Sequence, residues 1–476
     1  MLTSFWLLAL TVSINHAQPP DTLWTRTFGG SSFEEGCSVR QTTDGGYVVT
    51  GSTYSYGAGS YDVFLLKTDS MGYRQWARTF GRNYVDEGWS VQQTTDGGYI
   101  IAGQTHYNDL HYADCLLIKT NAIGELQWYR TLGGIGCDAA LNVQQCTDGG
   151  YIITGYSDWY GACDGDVLLI KTDSTGNQQW YRTFGGRDCD IGWGVQQTTD
   201  GGYIIVGKTQ SYGAGNNKVW LIKTDSTGHQ QWNRIFGGHR TDYGSGVQQT
   251  TDGGYVIIGT AYCILGDDVE LIKTDSLGNR QWERTYGVDG EEDWGASVQQ
   301  TTDGGYIIAG TSLGYTVLLI KTDCTGTKLW SRTFGGSNCD YGRSVRQTTD
   351  GGYIIAGTTG SYGAGGTDVW LIRIAAEALP VVDRDHCQPS EFAFLPPYPN
   401  PFNPTTNFTF SLPRTSMVSL IIYNIEGKKV GVVTSGQYVA GLHRIVFNGS
   451  DLYSGVYFVQ LKTQGFSQTQ KMVVLK

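Results

Sequence analysis

Asp-Gly-Gly-Tyr occurs seven times, beginning at Asp44, Asp96, Asp148, Asp200, Asp252, Asp303 and Asp350. Successive copies stand 52, 52, 52, 52, 51 and 47 residues apart. A period near 50 with strand-like content is the mark of a propeller or an array of small sheets. Asp-Gly and Gly-Gly supply the positive φ that a tight hairpin needs. One unit shows the internal plan. Asp86–Thr95 is an extended stretch ending in the glycine turn, and Tyr99–Gly103 is a short β-rich run. A variable loop leads to a second apolar run, Cys115–Thr120; a turn at Asn121–Gly124 then leads to Gln127–Leu132. Four short antiparallel strands joined by turns make one propeller blade.

Other features keep the same count. Trp-x-Arg recurs at Trp24, Trp76, Trp128, Trp180, Trp232, Trp282 and Trp330, and a basic residue ends each third strand, from Lys67 to Arg373. The two ends are out of phase in a useful way. A Trp strand, Leu23–Phe28, precedes the first motif, and the last unit stops after its third strand, Val369–Ile374. A ring solves both problems, because residues 23–28 become the outer strand of the seventh unit and no sheet edge is left open. The fold expected is all-β: a seven-bladed β-propeller closed by its N-terminal strand, followed by a small Ig-like β-sandwich.

Proline marks the boundary between the two. None falls between residues 21 and 379, and eight of ten lie in 380–413. The organisation read from this is a signal peptide at 1–17, the propeller at 18–375, a linker at 376–395 and a C-terminal domain at 396–476. The leader has an apolar run, Phe5–Val12, too short to span a bilayer, and Ala17 at the cleavage position, although no Lys or Arg precedes the run. No later segment is apolar enough to be transmembrane. A net charge of −11 argues against a nucleic-acid partner, whose phosphates need a basic face.

The segment Lys171–Trp180, repeated in each unit, resembles the tryptophan-docking repeat of quinoprotein-type propellers. The resemblance implies a strand order with Val-Gln-Gln-Thr innermost and the Trp strand outermost. It does not import the quinone, since that family usually has eight blades and no matching acidic or metal-binding constellation is present. The C-terminal region carries a more specific likeness. Tyr398–Thr406 (YPNPFNPTT), Ile422–Gly427, Ser454–Val459 and the terminal Lys471–Lys476 resemble the type A sorting domain of the type IX secretion system, whose fold is shared by the Ig-like domain of flagellar hook-capping proteins. Pro399, Asn400, Pro401, Gly455, Tyr457, Lys471 and Lys476 carry this motif. The resemblance implies the type IX machinery as partner, and a destination at the cell surface or in the medium.

Candidate sites are sparser. Ten residues before each motif Asp stands a carboxylate: Glu34, Asp86, Asp138, Asp190, Asp242, Asp293 and Asp340. Such a ring reads either as a cation-binding mouth or as seven turn caps, each satisfied inside its own blade with the arginines Arg26 to Arg332 as partners. Repetition in every blade favours scaffold, so no metal is expected. Asymmetry is found in the loops between second and third strands. Units one, four and seven share Ser-Tyr-Gly-Ala-Gly at Ser55, Ser211 and Ser361. Units two and three instead offer His106, Tyr107, His111, Tyr112, Trp159 and Tyr160, aromatics that suit a glycan or a surface protein as ligand. No nucleophile elbow, zinc-protease motif or cofactor fingerprint is present. Ten cysteines in an exported chain invite disulfides, but their positions weaken that reading: Cys137, Cys189 and Cys339 hold one repeat-equivalent position, set apart by rotation about the axis, and Cys137 with Cys163, in loops of one unit, is only a candidate pairing. The function expected is non-catalytic binding or adhesion; the alternative is an enzyme on a propeller scaffold, quinoprotein-like or acting on polysaccharide.

Overall fold

The computed structural model describes residues 18–475 apart from 107–111, 135, 159–164, 214–215, 239–241, 264–265, 288–291, 313, 378–391, 395, 398–399 and 439–440. The expected signal peptide and most of the expected linker therefore lie outside the described residues. Strands dominate throughout, and no described helix is long and apolar enough to cross a membrane.

Seven four-stranded antiparallel sheets follow one another along the chain. Blade one comprises Glu34–Gln41, Tyr47–Thr53, Asp62–Thr68 and Arg74–Phe80, in that spatial order. The inner strands of the next six blades are Asp86–Gln93, Asp138–Gln145, Asp190–Gln197, Asp242–Gln249, Trp294–Gln300 and Asp340–Gln347. Blade seven takes its outer strand from the other end of the chain, as Thr22–Phe28 pairs antiparallel with Asp368–Ile374. The ring is closed at its inner side too, where the inner and second strands of blade seven meet blade one's inner strand.

The second and third strands are almost wholly buried because their side chains pack blade on blade. Each inter-blade core is built alike, for instance Ile100, Ala102, Leu117, Val143, Ile153 and Ile170 between blades two and three. Both faces of these strands are covered, so the sequence runs apolar without alternation, as in Tyr99–Ala102 and Cys115–Ile118.

Tryptophan locks one blade to the next. Each outer-strand Trp lies edge-on or tilted against the Tyr that opens the second strand of the following blade, with ring centroids 5.8–6.2 Å apart. A glycine from that following blade covers the ring. At Gly124, with φ +79°, a Cβ would stand 2.5 Å from the Trp76 ring, so only glycine fits both the turn and the approach. The seventh contact has no such turn. There Glu377 accepts from Trp330 Nε1 at 3.3 Å and from the Tyr353 hydroxyl at 2.8 Å, while Arg332 donates to the Pro20 carbonyl at 2.8 Å.

The C-terminal region is a two-sheet sandwich. Ala393–Phe394, Thr405–Leu412 and Gly441–Asn448 form one sheet; Lys429–Tyr438, Ser416–Asn424, Gly455–Thr463 and Phe466–Val474 form the other. Phe394, Phe408, Phe410, Leu420, Val459 and Met472 are among its buried core. The sequence reading lacked the strand Lys429–Tyr438. This strand lies at a sheet edge and is largely exposed, and its two glycines and polar residues break the alternation that would announce it.

Candidate functional site

Each blade has two ends, set by strand direction. The Asp-Gly-Gly turns and the Trp-covering turns lie at the lower end; the loops between second and third strands and the entry to each inner strand lie at the upper end.

The lower end is a repeated staple. Thr42 Oγ1 and Gly46 N donate to Asp44 Oδ1 at 2.5 and 3.0 Å, which fixes the turn. The Lys67 ammonium, on a buried stem, donates to Asp44 Oδ2 at 2.8 Å, to the Thr68 carbonyl at 2.8 Å and to Gln75 at 3.2 Å. The same ion pair recurs as Lys119–Asp96, Lys171–Asp148, Lys223–Asp200, Lys273–Asp252, Lys321–Asp303 and Arg373–Asp350, all at 2.5–2.9 Å. Burial alone would raise the Asp44 and Asp96 carboxyls, but bonds from the lysine, the threonine and the glycine amide hold each down to about 2. Glutamines tie the ring together. Gln93 accepts from Thr43 N of the preceding blade at 2.9 Å, and the series runs round to Gln41, which accepts from Thr349 N at 2.8 Å.

The seven carboxylates at the upper end are buried, none more than 3% exposed. They do not converge. Glu34 accepts from Gly30 N at 2.7 Å, Thr53 Oγ1 at 2.8 Å and Ser55 N at 3.0 Å. Asp86, Asp138, Asp242 and Asp340 likewise accept from the backbone N–H four residues earlier, and Asp190 and Asp340 also take the hydroxyls of Ser211 and Ser361. Asp293 is buried at the same place in blade six. The arginines are not their partners, which corrects that part of the sequence reading. Arg26, Arg78, Arg130, Arg182, Arg234 and Arg284 lie over the tryptophan two residues before them, at 5.2–5.6 Å. Arg332 lies over Phe334 instead. Strand direction explains this, because the Trp end of the outer strand is at the lower face. Among the described residues no group of three or more His, Cys, Asp or Glu is placed to hold a metal ion.

A second set of carboxylates, not singled out in the sequence, faces the first. Asp62 sits beside Asp86, and Asp114 beside Asp138. Burial, reinforced by the neighbouring charge, lifts Asp62 and Asp114 to about 6.

Of the six loop residues proposed for ligand contact, His106 and Tyr112 fall within the described residues; Tyr107, His111, Trp159 and Tyr160 lie outside them. His106 N donates to the Val85 carbonyl at 2.9 Å, and Tyr112 is exposed. The Ser-Tyr-Gly-Ala-Gly loops serve the scaffold. The Tyr212 hydroxyl donates to the Gly185 carbonyl at 2.6 Å, and Tyr362 and Tyr56 repeat that bond at 2.9 and 3.0 Å. Cys324 is disulfide-bonded. Cys163, the suggested partner of Cys137, is outside the described residues.

The residues that break sevenfold symmetry line the channel along the ring axis, a cavity of about 900 Å³. Each inner strand carries a β-bulge at one place, where the register with the second strand skips a residue. The skipped residues are Cys37, Trp89, Leu141, Trp193, Ser245, Ala296 and Arg343, and all seven line the cavity. Bulges re-aim a side chain, and they gather beside active sites and barrel rims. Two residues earlier on each inner strand stand Glu35, Glu87, Ala139, Ile191, Tyr243, Trp294 and Tyr341, and the last three line the cavity. Blades five to seven thus present an aromatic wall. Tyr315 stands between Trp294 and Tyr341, with centroids 6.0 and 5.7 Å away. It holds a φ of +55°, an unusual conformation for a bulky residue and one associated with functional sites. The Trp193 and Tyr243 rings meet at 5.5 Å, and the Lys208 ammonium lies 5.9 Å over Trp193. Below the bulge, five blades carry Gln92, Gln144, Gln196, Gln248 and Gln299, but blades one and seven carry Arg40 and Arg346.

The signal for this site was in the sequence. Aligned on the motif Asp, the position seven residues earlier varies in every unit, while the Val two residues after it never does.

The sorting motif forms a latch across the C-terminal sandwich. Asn400 Nδ2 donates to the Lys471 carbonyl at 2.9 Å, and Val473 N donates to Asn400 Oδ1 at 2.7 Å. Phe402 is buried and bridges Val474 in parallel. The Tyr457 hydroxyl donates to the Tyr453 carbonyl at 3.0 Å, just before Gly455. Pro401 follows Asn400 through a cis bond. Pro399 and Lys476 lie outside the described residues. Residues 397–475 match the family model described as the secretion system C-terminal sorting domain. This region is a type IX sorting domain. It marks the protein for secretion to the cell surface or the extracellular space, and its partner is the type IX machinery.

No curated protein matches the chain. Similar solved structures include a fungal alcohol oxidase in complex with copper, at 11% identity over 96% of this chain and 100% of that one, TM-score 0.47. The WD40 domain of Toxoplasma gondii coronin is 8% identical over 79% and 93% of the two chains, TM-score 0.43. A PQQ-bound aldose sugar dehydrogenase from Streptomyces coelicolor is 11% identical over 75% and 99%, TM-score 0.37. Likeness of this degree assigns none of their activities to this chain.

Proposed function

We propose that this is an exported, non-catalytic binding protein whose ligand site is the upper mouth of the propeller channel. The observation that carries the reading is the distribution of asymmetry. The staples, the tryptophan docks and the buried carboxylates repeat round the ring, whereas the bulge position and the mouth above it differ from blade to blade. A scaffold that needs only to close has no use for six residue types at one place in seven blades. A cavity of about 900 Å³ lies within the range of small-ligand sites, roughly 300–1,000 Å³. The aromatic wall supplies contact area at low entropy cost. The loop patch of blades two and three, His106, Tyr107, His111, Tyr112, Trp159 and Tyr160, is proposed as a second contact region for a larger glycan or a surface protein.

The test is a binding screen of the full mature chain against oligosaccharides and isolated surface proteins. The expected result is a saturable ligand whose affinity falls at least tenfold in Trp193→Ala. Turnover of a bound compound, abolished by a single carboxylate replacement, would instead establish the enzyme reading. A ligand that survives Trp193→Ala but is lost when the six loop residues become Ala moves the site from the channel to the loops.

A further inference from the structure

Three arginines line the channel from adjoining inner strands; the Arg343 guanidinium lies over the Tyr341 ring at 5.6 Å, and Arg40 and Arg346 face one another. Arg343 and Arg346 lie on blade seven's inner strand, and Arg40 lies on that of blade one at the position equivalent to Arg346. None has a carboxylate partner within ion-pair distance among the described residues. Arg40 Nη1 donates to its neighbouring carbonyl, Val39 O, at 2.8 Å. Arg346 Nη1 donates to Val345 O at 2.6 Å and to Ser297 Oγ at 3.1 Å. A guanidinium offers five N–H donors, and both of these side chains line the cavity. Burial lowers the affinity of Arg40 for its proton, and the Arg346 charge lowers it further. Arginine nevertheless stays charged, so two like charges are held side by side.

This arrangement costs stability, in a chain whose net charge is −11 and which elsewhere pairs its inward lysines with aspartates. The ring does not require it, because five blades fold with glutamine at that position. Fold alone therefore does not account for Arg40 and Arg346. An anion entering the cavity would relieve the repulsion, and arginine forks match a carboxylate in bidentate fashion.

The rest of the cavity describes what else the anion carries. Trp89 and Trp193 line the same level, and flat indoles suit the apolar face of a ring. Trp89 Nε1 is buried with no partner among the described residues. Glu35 and Glu87 stand one step above on blades one and two, next to one another. Burial raises Glu87, Gln104 Nε2 donates to it, and its remaining lone pairs are acceptors for hydroxyl groups. One ligand combines these demands: a ring with an apolar face, several hydroxyls and a carboxylate. Resting on the channel-mouth reading above, we propose that the channel binds a uronic-acid oligosaccharide, with its carboxylate on Arg40 and Arg346, a sugar ring against the indoles of Trp89 and Trp193, and hydroxyls toward Glu35 and Glu87.

The test is calorimetric titration of the full mature chain with a trigalacturonate and with the neutral trigalactose. The variant Arg40→Gln/Arg346→Gln gives both blades the residue that the other five already carry, so folding is preserved. The expected result is that trigalacturonate binds at least tenfold more tightly than the neutral sugar, and that the double variant removes this preference. Wild-type affinity for trigalacturonate should also fall steeply with added salt. Equal binding of both sugars, unchanged in the double variant but lost in Trp193→Ala, overturns the acidic ligand and keeps the channel as the site. Trigalacturonate binding that survives both variants overturns the channel as its site. No binding of trigalacturonate to the wild type overturns the uronate proposal alone, and the wider screen then decides the site.

Discussion

The two ends of the propeller are built from the same residue types to opposite effect. At the lower end each motif carboxylate meets a cation: Asp44, Asp96 and their counterparts each take a lysine or arginine and a glycine amide, and six of the seven take a threonine hydroxyl, Cys146 standing in its place before Asp148. At the upper end carboxylates meet backbone amides, hydroxyls and one another. The lower end repeats because its task, holding a turn against the next strand, is the same in each blade. The upper end repeats only where it caps loops, and where it faces the channel it is free to vary. A repeat protein thus reserves one end for closure and the other for recognition.

Breaking a lower staple should have the largest effect. Lys119→Met keeps the buried stem but leaves Asp96, Thr120 O and Gln127 without their donor. Loss of a charged, buried hydrogen-bonding group predicts a destabilisation of about 2–3 kcal/mol, read from the denaturant midpoint of the full chain. Next comes the tryptophan dock. Gly124→Ala forces a Cβ toward Trp76 at positive φ, and about 1–3 kcal/mol should be lost. A loss below about 0.5 kcal/mol would mean that the dock contributes little to ring closure.

The contrast between the ends also has a pH signature. Asp44 and Asp96 are held near 2, below their unfolded value of about 3.8, so the stability they contribute is present above pH ~4 and lost as pH falls through 2. Asp62 and Asp114 are raised to about 6, so the folded state binds more protons between pH ~4 and 6. Their contribution is present below 4 and lost as pH rises through 6. Melting temperature should therefore decline from pH 4 to 7. Asp62→Asn with Asp114→Asn should flatten that decline and leave the acid limb unchanged. A double variant with the wild-type slope would show that Asp62 and Asp114 do not cause the decline. The smallest effect is expected within the channel. Arg343→Ser installs blade five's bulge residue in blade seven and should change stability by no more than about 0.5 kcal/mol. A larger change would make the bulge ring part of the scaffold and remove the contrast between the two ends.

Most of the fold was legible because repetition exposes it. The offset Trp strand at Leu23–Phe28 required a partner, and Asp368–Ile374 is that partner. The staple was half legible: the motif Asp recurs seven times and so does the strand-ending base, six lysines and Arg373, but 23 residues separate Asp44 from Lys67, and nothing local joins them. The channel was hidden for a different reason. A β-bulge adds one residue without a mark of its own, so Trp89 and Trp193 read as part of an alternating strand rather than as residues turned inward. The carboxylate at the head of each strand drew attention by its charge, yet it is buried among its own loop's amides. The variable loops drew attention by their aromatics. The arginines that break the glutamine ring drew none, since one long polar side chain replaces another.

The strand Thr22–Phe28 also fixes an order of events. Its partner ends at Ile374, some 350 residues later, so the earliest strand to be synthesised waits for the latest strand of the ring. No shorter set of blades closes on itself, and partial rings expose the apolar face of whichever blade was made last. The sorting domain begins only after that wait is over. By the time the chain displays its export address, every strand needed to complete the ring already exists.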